Sequence, residues 1–500
     1  MSNDHIAAPT RDEIYRQIIV TLPDSGPIEI ARSGLLKVLD KLKVDFEHLL
    51  SIDRLRAEVI QLAPHEDVRT VCIDLVKAGV AVAAEQNRVL SRASVSYGSA
   101  SSNPIVNDPL YRHQWGLGRI GAEPAWLRAR KLVNPNAPGI LVAVIDTGIQ
   151  TGHPDLVPHL WDDGAGNKGF NIIDGSLDVY DGDGHGTQLS GMIGAVSGDG
   201  VGIAAAEWPL RVMAIKFIDV RNPPTLLSAV VGILLATVTD AKIINVAWGL
   251  GVSSSVVRNA IDFAGTWKGG ALVVAAAGND GLDNDRLPTF PASYLGLSNL
   301  VSVMASDRDD DKAWFSNYGL TTVHLGAPGV RILTTDTYFG LPRWREFSGT
   351  SAACALVTYA AALIKTLNPG WSPMEIRDHL IASVQPSRWL KCISGGRLSL
   401  ERAVLGPFAI TAPAEGAVWG IGTAQTVTWT SSYVTGKPTT SVTLEISKNG
   451  GPYGVMAPGK LNNGSCPVMA PNAAVPAARL RIRSDQAPSF FAESPMFKVQ

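Results

Sequence analysis

Between Trp115 and about Leu405 the sequence carries six runs that are apolar at nearly every position: GILVAVIDT, RVMAIKFID, AKIINVAWG, ALVVAAAG, LVSVMAS and VHLGAP. A strand with one wet face alternates polar and apolar residues, so strands that are apolar throughout are covered on both faces. Stretches of helical character, such as TLLSAVVGILLATV, separate the runs. Together they predict an α/β domain with a doubly wound, mostly parallel sheet.

Five hundred residues are too many for one ordinary core, and the texture changes on both sides of that region. Residues 1–92 read as a small α+β domain. YRQIIVTLP is a strand, GLLKVLDKLKVDFEHLL has helical spacing, LRAEVIQLA alternates, HEDVRTVCIDLVKAG is helical, and VAVAAEQNRVL closes as a strand. Residues 93–109 lie in SRASVSYGSASSNPIVNDP, whose Ser, Asn and Pro content is that of an exposed, cleavable linker. Residues 110–405 form the α/β domain. From 406 to 500, segments such as FAITAPAEGAVWGIGTAQTVTWTSS, SVTLEISKN and ARLRIRSD predict an all-β sandwich.

Lysine and arginine number 43 against 45 aspartates and glutamates, scattered without a long basic run. That balance excludes nucleic acid and an anionic membrane surface as expected partners. The start, MSNDHIAAPTRDEIYRQ, lacks the basic-then-apolar build of a secretory signal, and no uninterrupted apolar run is as long as a membrane span. The four cysteines, Cys72, Cys354, Cys392 and Cys466, are too widely spread for a zinc spacing or a disulfide framework. Whether Cys354 and Cys392 pair or stay buried thiols is open at this level, and the compartment with it.

In an open parallel sheet, reactive groups gather beyond the carboxyl ends of the strands. Asp146 closes the strand in LVAVIDTGI, where it can be a plain turn former. D-T-G also marks aspartic peptidases, which need two carboxylates sharing a proton; no second D-T-G exists, TTDTYFG having Tyr338 at the glycine position. His185 stands between glycines in YDGDGHGTQLSGMIGA, and small neighbours are expected to leave its ring accessible as a base near neutral pH. Asn279 in GALVVAAAGNDG is a turn residue or a donor to a developing oxyanion. Ser351 in REFSGTSAACALV suits a helix cap as well as a nucleophile. Singly, each residue favours the structural reading; all four in compatible contexts favour chemistry.

AVIDTGIQTGHPDL, DGHGTQLSGMIGA, VVAAAGNDG and FSGTSAA resemble the Asp, His, oxyanion-Asn and Ser motifs of the subtilisin-like serine peptidases, the subtilases. NDPLYRHQWGLGRIGAEPAW resembles the start of their mature domain, and the likeness runs from about 105 to 405. It implies a serine endopeptidase acting on polypeptides, with Ser351 as nucleophile, His185 as proton shuttle, Asp146 orienting the imidazole and Asn279 binding the oxyanion. No cofactor is required for that chemistry. INVAWGLG resembles the strand that pairs with substrate, so Ala247, Trp248 and Gly249 would face Ala276, Ala277 and Gly278 across the primary pocket. Asp155 and Asp199 are implied as candidate ligands of a structural calcium. The first 92 residues resemble, more loosely, the family's inhibitory prodomain, and the tail resembles the accessory sandwiches of secreted enzymes. Secretion is thus implied, although no signal peptide is visible and cytoplasmic residence stays open.

Departures from the family pattern flank the site. Ala352 and Ala355 stand where Met and Pro are usual, with Cys354 between, and Gln188 stands where the residue after H-G-T is usually His. They leave a second reading, a catalytically impaired subtilase-fold binding protein, which the intact triad opposes. A third, the carboxyl peptidases that share S-G-T-S but pair Glu with Asp, is opposed by His185.

Overall fold

The computed structural model describes residues 17–23, 27–52, 56–86, 91–92, 106–219, 222–405, 408–431, 441–485 and 491–500. At the N-terminal end β1 (Gln17–Thr21), β2 (Phe46–Ile52), β3 (Ala57–Leu62) and β4 (Ala83–Gln86) form an antiparallel sheet in the order β2-β3-β1-β4. Ile18, Val20, Ile60 and Leu62 on one face meet Leu35, Leu39, Val71 and Leu75 of the helices Ile28–Leu42 and Val68–Lys77. The sequence reading carried the first helix on to Leu50. It ends at Leu42 instead, because Lys43 turns left-handed at φ 55° and the alternating stretch from Phe46 pairs with β3.

On the opposite face of this sheet, Ile19, Ala57 and Val59 share a core with Trp248, Val256 and Leu226 of the large domain. Each fully buried Ile or Val contributes about 1.5–3 kcal/mol relative to exposure. The small domain is therefore packed on the large one rather than merely joined to it. Residues 93–105 lie outside the described residues, but Val106 and Asp108 are buried, so the expected linker stops short of Pro109.

The large domain adds β5 (Ser91–Arg92), β6 (Ile140–Asp146), β7 (Gly169–Asn171), β8 (Leu210–Lys216), β9 (Ile243–Val246), β10 (Trp248–Gly249), β11 (Leu272–Ala276), β12 (Leu300–Ser306), β13 (Leu325–Pro328), β14 (Ile332–Tyr338), β15 (Leu341–Phe347), β16 (Gln385–Pro386) and β17 (Gly396–Arg397). Nine of them form one sheet in the order β16-β17-β13-β12-β11-β9-β6-β8-β7, parallel except for the pair β16–β17. Burial on both faces follows the pleat. Val142 and Val144 of β6 join the core of the helix Thr350–Leu367, while Leu141, Ala143 and Ile145 join that of the helices Leu226–Val238 and Ser255–Thr266.

The helix Thr350–Leu367 is the one among the described residues long and apolar enough to cross a membrane, and 89% of it is buried within the protein. It packs beneath β9, β11, β12 and β13 and carries Ser351 in its first turn. Beyond Phe408 a three-stranded and a six-stranded sheet enclose Trp419, Val427, Trp429, Leu444, Leu480 and Phe497, the expected all-β sandwich. Arg128 fastens it to the large domain, donating to the Phe491 carbonyl at 3.1 Å with its guanidinium carbon 2.8 Å from the Phe491 ring centre. All four cysteines are thiols, and Cys354 and Cys392 sit in separate apolar clusters, so they do not pair.

Candidate active site

Asp146 is the last residue of β6 and His185 the first of the helix His185–Gly194, so a strand end and a helix start bring them together. His185 Nδ1 donates to Asp146 Oδ1 at 2.7 Å, and the Thr147 amide donates to the same oxygen at 2.8 Å. The approach of that helix is fixed by Asp181. Its carboxylate accepts the amides of Gly184 at 2.8 Å and Thr187 at 2.9 Å, a capping arrangement worth ~1 kcal/mol. His185 is only 3% exposed and lies edge-on to Phe347, with ring centres 5.5 Å apart. The accessible ring expected from its glycine neighbours is thus not found: the glycines admit backbone and side chains, not solvent.

Ser351 Oγ donates to the Ala247 carbonyl, between β9 and β10, at 3.4 Å. Asn279 lies three residues past β11, and its Oδ1 accepts both the amide and the hydroxyl of Thr350 at 2.9 Å. That commitment orients the other end of the amide. Asn279 Nδ2 is buried with no hydrogen-bond partner among the described residues, an exception among buried donors that calls for an absent acceptor. Ser351 occupies the first turn of its helix, directly after Thr350. The four residues read as chemical in the sequence thus come from four separate segments to one end of the sheet.

A model described as the subtilase family matches residues 137–404. The chain belongs to the subtilase family. It is 33% identical to thermitase of Thermoactinomyces vulgaris over 52% of this chain and 84% of that protein. It is 36% identical to a thermophilic serine proteinase of Bacillus sp. strain AK1, over 54% of this chain but only 62% of the relative. Among solved structures, fervidolysin from Fervidobacterium pennivorans, described as a keratinolytic enzyme related to subtilisin, has a similar fold. The match has a TM-score of 0.63 and 20% identity, over 98% of this chain and 78% of that one.

Within this subtilase frame, β10 pairs antiparallel with β5, Trp248 opposite Arg92 and Gly249 opposite Ser91. A segment from the N-terminal side therefore lies along the strand expected to receive substrate. Ala247, Ala276 and Ala277 are buried, as pocket walls would be. Trp248 differs from expectation: its indole turns into the core 5.3 Å from Phe217, so the wall takes only its backbone. The sequence reading missed Thr289. A Cβ on Gly249 would lie 2.9 Å from its methyl, and one on Gly278 would lie 3.4 Å from its hydroxyl oxygen, so Thr289 stands between the two walls. Asn317 Nδ2 donates to that hydroxyl at 3.3 Å, and Asn317 Oδ1 accepts the amides of Asp280 and Leu282, fixing the loop that carries Asn279.

Ala352, Cys354 and Ala355 are fully buried, and without proline at 355 the helix runs unbroken from Thr350 to Leu367. Asp155 is buried while Asp199 is exposed. Asp155 Oδ2 accepts the Ile203 amide and the Trp344 indole, whereas Oδ1 is buried without a partner among the described residues. Burial, with the charges of Asp199 and Asp108 nearby, pushes Asp155 up to about 6. An orphaned carboxylate oxygen among repelling carboxylates suits a hard cation. Among the described residues, however, no three His, Cys, Asp or Glu side chains converge as a metal cage, so backbone oxygens would have to complete one.

Proposed function

We propose that the chain is a serine endopeptidase made as a self-processing precursor. The observation that carries this is the convergence of the Asp146–His185 pair and Ser351 with a buried, unsatisfied donor on Asn279. Ser351 Oγ attacks the peptide carbonyl carbon while His185 Nε2 takes its proton, and Asp146 holds the imidazole by Nδ1 and stabilises its positive charge. The negative oxygen of the tetrahedral intermediate is received by Asn279 Nδ2 and the Ser351 amide. His185 then gives its proton to the leaving amine, and water repeats the sequence on the acyl-enzyme. Thr289 between the pocket walls favours small apolar side chains before the bond.

The N-terminal domain is its intramolecular inhibitor, a reading supported by its packing against the large domain and by the β5–β10 pairing. The sequence leads to an expectation of cleavage between Leu90 and Asn103, with Tyr97 before the bond, and all three lie outside the described residues. The pairing of Ser91 and Arg92 with β10 supports cleavage shortly after Arg92, and Ala93, the next residue in sequence and a small one, is the proposed residue before the bond. Intact-mass measurement and N-terminal sequencing, with a fluorophosphonate probe, are expected to show labelled Ser351 and a new terminus at Ser94, with neither in Ser351→Ala. A full-length wild type that hydrolyses added peptides would refute the processing. One that neither labels nor hydrolyses would refute the peptidase.

Calcium at Asp155, with Asp199 and Asp108 beside it, belongs to the same proposal. Because Asp155 is raised to about 6 in the folded chain, the folded state holds a proton that the unfolded chain releases. That stabilisation is complete below the unfolded value of about 3.9 and is lost as pH rises through 6, on the order of 3 kcal/mol. Thermal melts in chelator are expected to show this loss, calcium to reverse it, and Asp155→Asn to abolish both effects. Equal midpoints with chelator and with calcium above pH 6 would remove the ion from the account.

A further inference from the structure

The hairpin of β14 and β15 runs between the histidine and the serine. Its first strand grips the helix His185–Gly194 side on: the Thr335 hydroxyl donates to the Thr187 carbonyl at 2.7 Å and the Thr334 hydroxyl to the Gln188 carbonyl at 2.6 Å. Next along the strand is Asp336, a carboxylate only 1% exposed that the mechanism does not use. Asp336 Oδ1 accepts Gln188 Nε2 at 2.7 Å, and Oδ2 accepts Arg343 Nε from the residue opposite on β15 at 2.5 Å. The same Oδ1 is 2.6 Å from where a Cβ on Gly184 would stand, and Gly184 has φ 101°. Asp336 thus spans the first turn of the helix, touching the residue before His185 and bonding to the residue after H-G-T. From its partner strand the chain continues through Phe347, whose ring meets His185, to Ser351.

We infer that Asp336, joined to Gln188, is a positioning residue that sets the first turn of the histidine helix, and with it the place of the His185 imidazole between Asp146 and Ser351. Gln188 is then no neutral departure from the family pattern: its amide is the donor that a buried carboxylate at 336 requires. The carboxylate acts through His185 and touches no reacting atom. Small displacements of a general base are costly because the proton must pass within hydrogen-bond reach, so loss of this tie appears in turnover and not in substrate binding.

This inference rests on the serine-peptidase reading, and its test separates the two. In the full chain, Gln188→Met removes the donor at similar length, and Asp336→Asn removes the charge at constant shape. Steady-state kinetics on a chromogenic peptide, normalised to active sites titrated with an acylating inhibitor, are expected to show kcat lowered about ten- to a hundredfold in both variants. KM is expected to stay within about threefold. Variants with fewer titratable sites or a lower melting temperature but wild-type kcat per site would overturn the inference, because the tie would then serve folding alone. A change confined to KM would also overturn it. A wild type with no titratable site would overturn both this inference and the peptidase reading, whereas an active wild type matched by Gln188→Met would overturn this one only.

Discussion

Ser351→Ala, His185→Ala and the variant carrying both are expected to hydrolyse peptides equally slowly, each about a millionfold below the wild type in kcat. The equality matters more than the size. In the proposed mechanism His185 acts only on the proton of Ser351, and its Nδ1 is held 2.7 Å from Asp146, so removing either residue would disable the same step and the second loss would add nothing. Losses that multiply in the double variant would mean that serine and histidine act in separate steps. A single variant with near-wild-type turnover would remove that residue from the chemistry.

Asn279→Ala is expected to lower kcat about a hundred- to a thousandfold with little change in KM, because the oxyanion it is proposed to serve exists only beyond the ground state. Both donors of Thr350 hold Asn279 Oδ1, which leaves Nδ2 aimed away from them and unsatisfied. Asn279→Asp tests that orientation. A carboxylate would keep the contacts to Thr350 but set a second negative oxygen where the anion forms, so it is expected to be no better than alanine. Kinetics normalised to titrated active sites decide the matter, and an Asp variant close to wild type would show that the oxyanion is bound elsewhere.

The parts legible in the sequence were those with a local signature. Runs such as LVAVIDTGI and ALVVAAAGNDG state at once that a strand is buried on both faces and where it ends, which locates Asp146 and Asn279. The missed residues lack any such signature. Thr289, Asn317 and Asp336 enter the site from loops or strands far along the chain, through contacts whose partners no short window contains. Trp248 shows the opposite failing: its place on the substrate strand was legible, but the side to which its indole turns depends on Phe217, which pairing alone does not reveal. The helix extended to Leu50 failed because apolar residues after Lys43 satisfy helical and strand spacing alike, and only the pairing of Phe46 with Leu62 chooses.

Among the described residues the fold is closed without a covalent cross-link: the three parts are held by apolar packing, strand pairing and the Arg128 contact, while all four cysteines keep their thiols. Cys354 and Cys392 are sealed in apolar surroundings, where burial holds them protonated and therefore unreactive. Among the described residues, then, no contact that joins the parts depends on an oxidant. Those packing contacts are indifferent to the thiol–disulfide balance of the surroundings, unlike the bridges on which many small domains rely to stay folded.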